Sequence, residues 1–77
     1  MNMSKLEELI NRRADIDRTI ESEIAKALNS RNRKHSWREI AGACEVSRAH
    51  LHAIARGQSA GAPEVQLRIV RALAELN

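Results

Sequence analysis

The fold of this chain is decided by residues 36–57, which read SWREIAGACEVSRAHLHAIARG. Ser36 suits the N-cap of a helix, and an acidic residue three positions later completes the capping-box pattern. Ser47 offers a second N-cap, and only Glu45 and Val46 lie between it and the end of the first helix. The stretch therefore predicts two short helices that cross steeply through a tight turn.

The apolar residues of this stretch fall where two crossed helices need them. Ala41 is small enough to lie where the two backbones approach each other. Val46 in the turn is followed by Leu51 and Ile54, which share one face of the second helix. These residues are predicted to hold the second helix against the first.

The opposite side of the second helix carries bases and small side chains. Arg48, His52 and Arg56 recur every four residues along one edge, beside two alanines on the outermost strip. Small side chains let a helix enter the major groove of DNA. The basic side chains that flank them can then contact the edges of the DNA bases and the phosphates. The residues predicted to contact bases are Ser47, Arg48, Ala49, His52 and Ala53.

The segment from Trp37 to Arg56 resembles the helix-turn-helix of the Cro and phage-repressor (XRE-like) regulators. The residues at the family's spacings are Ala41, Val46, Ser47, Arg48, Leu51 and Ile54. Glu45 stands where the family usually has glycine, and a left-handed conformation there costs about 1 kcal/mol. The resemblance implies a sequence-specific, double-stranded DNA-binding transcriptional repressor of a phage, plasmid or other mobile-element promoter.

Length and composition indicate one small all-α domain. Its 77 residues place the core near the lower limit for independent stability. Trp37 is the single aromatic residue, three glycines and one proline leave few breaks, and the β-branched residues do not alternate as in strands. We therefore expect four helices, two of them in residues 36–57.

The other two predicted helices lie in residues 1–30 and 62–77. The first runs from a cap at Ser4 to Leu28, and its apolar stripe is longer than a small domain can cover. The last begins at Pro63 and ends near Leu76. The surplus stripe predicts a homodimer interface, which we assign to Leu9, Ile16, Ile20 and Ile24.

Positive charge is concentrated in the middle of the chain. Residues 29–57 hold six bases and two acids, whereas residues 1–28 hold five bases and six acids, and residues 58–77 hold two of each. Clustered bases beside a helix that enters a groove predict contact with DNA phosphates. The residues assigned to phosphate contact are Arg33, Lys34, Ser36, Trp37, Arg38 and Arg56.

Other classes of function find little support in the sequence. Cys44 is the single cysteine and takes a position that is normally apolar, so we expect a small buried residue. His50 and His52 are two apart on a helix and point in different directions, which argues against a metal site. We expect no catalytic residues, cofactor or small-molecule ligand, and neither a signal peptide nor a membrane span, which predicts a cytoplasmic protein.

Two functions of different classes fit these patterns. In the first, a homodimer inserts two copies of the second short helix into successive major grooves of a near-palindromic operator. In the second, the chain is a protein-interaction module, antitoxin-like or a co-regulator, whose long N-terminal helix binds another protein. The alanines flanked by Arg and His favour DNA, whereas the long charged helix suits the second function.

Overall fold

The computed structural model describes residues 2–30 and 34–76, and these residues form four helices. The helices are α1 (Met3–Asn29), α2 (Trp37–Cys44), α3 (Arg48–Ala55) and α4 (Pro63–Leu76). Within these two ranges there is no strand, so the expected all-α fold is confirmed. Arg33, one of the expected phosphate contacts, lies outside the described residues.

The long helix α1 gives the molecule its elongated shape, 51 Å by 19 Å by 19 Å. Its N-cap is Asn2 rather than the expected Ser4, because the helix already begins at Met3. The side-chain oxygen of Asn2 accepts a hydrogen bond of 2.8 Å from the backbone N–H of Lys5. Residues 3–19 of α1 are all exposed, and α1 becomes buried only near its C-terminal end, at Ile24 and Leu28.

The hydrophobic core lies where that end of α1 meets the three other helices. Helix α3 packs on α1 and α2, and α4 packs on α2 and α1. Each helix turns one apolar face inward, as amphipathic helices of a small domain do. The buried residues are Ile24, Leu28, Ile40, Ala41, Cys44, Val46, Leu51, Ile54, Ala55, Ile69, Ala72 and Leu73.

The core corrects one part of the predicted dimer interface. Ile24 is only 5% exposed and belongs to the chain's own core, because the last two turns of α1 lie against the other helices. Leu9, Ile16 and Ile20 remain between 39% and 58% exposed. The apolar stripe of α1 is thus divided between a buried end and an exposed remainder.

Two further expectations are confirmed. Cys44 is 2% exposed, and burial raises the pKa of its thiol above the ordinary value of 9.0. Helix α4 begins with Pro63 and ends at Leu76, as its proline at the first helical position predicts. Within the ranges that the structure describes, no helix combines the length and the apolar character needed to cross a membrane.

Candidate nucleic-acid interface

The connection between α2 and α3 consists of residues 45–47. Helix α2 ends at Glu45, which takes a left-handed conformation with φ 57° and ψ 41°. The N–H of Val46 then donates to the carbonyl of Ala41 at 3.1 Å, which closes the end of α2. A non-glycine residue in this conformation is strained by about 1 kcal/mol, so the strain foreseen for Glu45 is present in the fold.

Both short helices have the serine caps that the sequence predicts. Ser36 Oγ accepts from the N–H of Glu39 at 3.1 Å, and Ser47 Oγ accepts from the N–H of His50 at 3.2 Å. At its other end α3 stops at Ala55, and Gly57 follows the cap residue Arg56 with a φ of 77°, which suits glycine. The start and the end of α3 are therefore fixed by local hydrogen bonds and backbone geometry.

The exposed side of α3 is narrower than its sequence suggests. Ser47, Arg48 and Ala49 are exposed, whereas His52 and Ala53 are half-buried. Leu51 and Ile54 face the core, with 0% and 2% of their surface exposed. The first turn of α3 thus offers the most accessible of the predicted base-reading residues.

His52 packs against the first residue of α2. The rings of Trp37 and His52 meet edge to face, with centroids 4.6 Å apart and planes at 68°. The Nε2 atom of His52 is buried without a hydrogen-bond partner among the described residues. Trp37 itself is half-buried against the core. His52 therefore presents less of its ring to a ligand than a fully exposed residue would.

Asn29 at the end of α1 has a role that no sequence pattern predicted. Its side-chain N–H₂ donates to the carbonyl of Ala25 at 2.9 Å and to the carbonyl of Ala55 at 3.0 Å. A cavity of about 140 Å³ beside this contact is lined by Asn29, Trp37, His52, Ala55 and Arg56. The end of α1, the start of α2 and the end of α3 therefore meet at one junction.

The arginines near α3 differ from most basic residues of α1, which are paired with acids. Arg12, Arg18 and Lys26 form ion pairs within α1 with Glu8, Asp15 and Glu23 respectively. Within the described ranges Arg38, Arg48 and Arg56 are exposed and make no ion pair or hydrogen bond through their side chains. The nearby Glu39 carboxylate contacts His35 instead. The guanidinium groups around α3 are thus available to an external anion.

Some of the residues predicted to contact phosphates lie together at the junction of α1, α2 and α3. Asn29 and Trp37, on either side of the connecting segment, line the same cavity as Arg56. Three exposed residues lie close to Trp37 in the sequence: Lys34 and Ser36 before it, and Arg38 after it. Arg48 lies at the other end of α3, about 12 Å away along an eight-residue helix.

No metal-binding cluster of His, Cys, Asp or Glu occurs among residues 2–30 and 34–76.

Comparison of the whole chain with protein-family models, with curated proteins and with solved structures finds no match to any of the three. The geometry of the chain itself is therefore what indicates its function.

Proposed function

We propose that this chain is a sequence-specific double-stranded DNA-binding protein that reads bases with α3 and regulates transcription, as a repressor. The observation that carries the proposal is Arg48, which is exposed and has no partner among the described residues, beside Ala49 on the first turn of a helix whose opposite face is buried. An Arg side chain can donate two hydrogen bonds to the major-groove edge of guanine. The small side chain of Ala49 leaves room for the helix to approach that edge.

The rigidity of α3 supports this assignment. Its N-terminus is capped by Ser47, its apolar face is buried through Leu51 and Ile54, and its last carbonyl is held by Asn29. A reading helix must keep its side chains in one position relative to the DNA, because positioning is what converts hydrogen bonds into base preference. In this arrangement His52 positions the helix through Trp37 as well as facing the groove.

Phosphate contacts would come from the same side of the molecule. Within residues 2–30 and 34–76, Arg38 and Arg56 form no ion pair or side-chain hydrogen bond, and Lys34 is an exposed residue that precedes α2. Together with Ser36 and Trp37 at the start of α2, these residues surround the junction of α1, α2 and α3. Arg38 and Arg56 would lose no ion pair within residues 2–30 and 34–76 when they bind phosphates and release counterions from DNA.

The test is selection of bound sequences from a pool of random duplexes, followed by anisotropy titrations of the selected site at several salt concentrations. We expect a defined consensus and an affinity for it at least about 1,000-fold above that for random duplex. A protein that enriches no sequence, or binds all duplexes equally, would overturn the proposal.

A second candidate function is that of a protein-interaction module, antitoxin-like or a co-regulator. The exposed apolar side chains of α1 favour it, since contiguous apolar surface marks interaction sites. Absence of DNA binding at low salt, together with saturable binding of a different protein to α1, would support this function over the first.

A further inference from the structure

The exposed part of α1 carries an apolar face that no residue in the described ranges 2–30 and 34–76 covers. Its side chains are 39–58% exposed and continue the face that buries Ile24 and Leu28 at the other end of the helix. They are Leu6, Leu9, Ile10, Ile16 and Ile20. A helix of this length without tertiary contacts is marginal in water, because most helical stability in proteins comes from packing of an apolar face.

Four of these five residues are arranged symmetrically about Arg13, and the fifth, Leu9, has Asp17 as its counterpart. Leu6 and Ile20 lie seven residues to either side of it, and Ile10 and Ile16 lie three residues to either side. A stripe that reads the same in both directions is self-complementary when two copies run antiparallel, which is what a two-fold interface requires. We propose that α1 pairs antiparallel with α1 of a second copy of this chain, with Arg13 at the two-fold axis.

Steric and electrostatic arguments exclude the parallel arrangement. At Ile24 and Leu28 the same face of α1 is covered by the chain's own helices, so a parallel pair in register would bring two folded bodies to one place. Residues 3–14 hold three bases and two acids, whereas residues 15–29 hold two bases and four acids. Antiparallel pairing places the positive half of one helix beside the negative half of the other.

The pairing also accounts for a groove between α1 and α4. This groove of about 460 Å³ is lined by apolar parts of Ile20, Ile24, Pro63, Leu67 and Val70, among others. Leu67 and Val70 are 53% and 49% exposed. In the antiparallel register Leu6 of the partner subunit lies opposite Ile20, and the partner subunit's Met3 extends towards the groove. The N-terminal turn of each α1 thus fills the groove of the other copy.

One pair of charges fits the same register. Arg13 and Asp17 lie near the stripe, and neither forms an ion pair within the described chain. Across an antiparallel pair centred on Arg13, Asp17 of the partner subunit comes within reach of that guanidinium. The two Arg13 side chains meet at the axis, and the two Asp17 carboxylates, four residues along each helix, would then balance their like charges.

The first experiment measures mass in solution without DNA, by sedimentation equilibrium from 1 to 100 µM. We expect wild type to be a dimer and Ile16→Asp to dissociate at least about 100-fold more readily, since each interface then buries two carboxylates. Asn11→Asp, on the opposite face of α1, is the matched control and should remain dimeric. Far-UV circular dichroism checks that both variants keep their helices. A monomeric wild type at 100 µM overturns the proposal and points to another protein as the occupant.

The second experiment tests the direction by disulfide formation in a Cys44→Ala background. Leu6→Cys and Ile20→Cys chains should cross-link when mixed, whereas either variant alone should not. In the antiparallel pair two copies of position 6 are about 21 Å apart along the axis, too far for a disulfide, which needs Cα atoms within about 7 Å. Cross-linking of Leu6→Cys alone at the rate of the mixture would overturn the antiparallel arrangement. Because no DNA is present, the result does not depend on the proposed function.

Discussion

The exposed part of α1 and the exposed side of α3 are built in opposite ways. On α1 several bases are already paired with neighbouring acids, and the unsatisfied groups are apolar side chains. On and around α3 the large apolar side chains are buried, and the groups without a partner in the described part of the chain are the guanidinium groups of Arg38, Arg48 and Arg56. Each surface therefore lacks a different kind of partner.

This difference suggests a division of labour along one small chain. An apolar face gains free energy when another apolar face covers it, at roughly 25 cal/mol per Å². An unpaired guanidinium gains most from an anion such as a phosphate or from the acceptor edge of guanine. The contact between Asn29 and the carbonyl of Ala55 joins the two surfaces, because it fixes the end of α1 to the end of α3.

The largest change in DNA affinity should come from a variant that disrupts the apolar surface of α1 and leaves the basic surface around α3 intact. With Ile16→Asp we expect the affinity for a duplex with two half-sites to fall by about 100-fold or more, because the second half-site is no longer bound intramolecularly. Affinity for a single half-site should change by less than about twofold. Anisotropy titrations of both duplexes give the comparison, with Asn11→Asp as control. An equal loss on both duplexes would show that the two surfaces are not separate.

Recognition of DNA bases should depend more on Arg48 than on any other basic residue. Replacing it with Ala should cost about 1–3 kcal/mol at the selected site and reduce discrimination at one or two base positions. Arg71→Ala, which removes the same charge from the exposed surface of α4, should leave base preference unchanged. Competition with single-base variants of the site is the measurement. Unchanged preferences in Arg48→Ala would mean that α3 is not the reading helix.

His52 gives a sharper form of the same test. Its ring packs on Trp37, so His52→Ala should lower the melting temperature as well as the affinity. Arg48→Ala removes an exposed side chain and should leave the melting temperature nearly unchanged. Thermal unfolding followed by circular dichroism separates the two. A His52→Ala variant of wild-type stability that loses base discrimination would assign His52 to direct reading instead.

Each phosphate contact should contribute less to the affinity than Arg48 does, and its contribution should not depend on the DNA sequence. We expect Arg38→Ala and Lys34→Ala to weaken specific and random duplexes by similar factors. Each should reduce the slope of log K against log salt by about one unit for the contact that is lost. The Arg71→Ala control should keep the wild-type slope. A change in base preference without a change in slope would contradict the assignment of these residues to the backbone.

The sequence predicted the elements that depend on local signals. Ser36, Ser47 and Pro63 begin helices where expected, because capping and proline geometry involve only neighbouring residues. The sequence was less informative about burial and contacts that depend on residues far apart in the chain. Ile24 is taken into the core by the other helices, and His52 is half-buried by a tryptophan from α2. The link from Asn29 to Ala55 spans 26 residues and leaves no periodic pattern in the sequence.

The smallest predicted effect concerns Glu45, whose strain belongs to the side of the molecule that carries α3. Glu45→Gly should raise stability by about 0.5–1 kcal/mol, since glycine adopts φ 57° without a Cβ clash but gives back part of the gain through unfolded-chain entropy. For a domain of this size that corresponds to a rise in melting temperature of roughly 2–8 °C. Ala43→Gly is the matched control, because the same residue placed inside α2 should lower stability by up to about 1 kcal/mol. Circular dichroism melts of the two variants should therefore move in opposite directions, while the dimer dissociation constant set by α1 stays the same. A fall in melting temperature for Glu45→Gly would show that the glutamate side chain contributes more to the turn than its backbone strain costs.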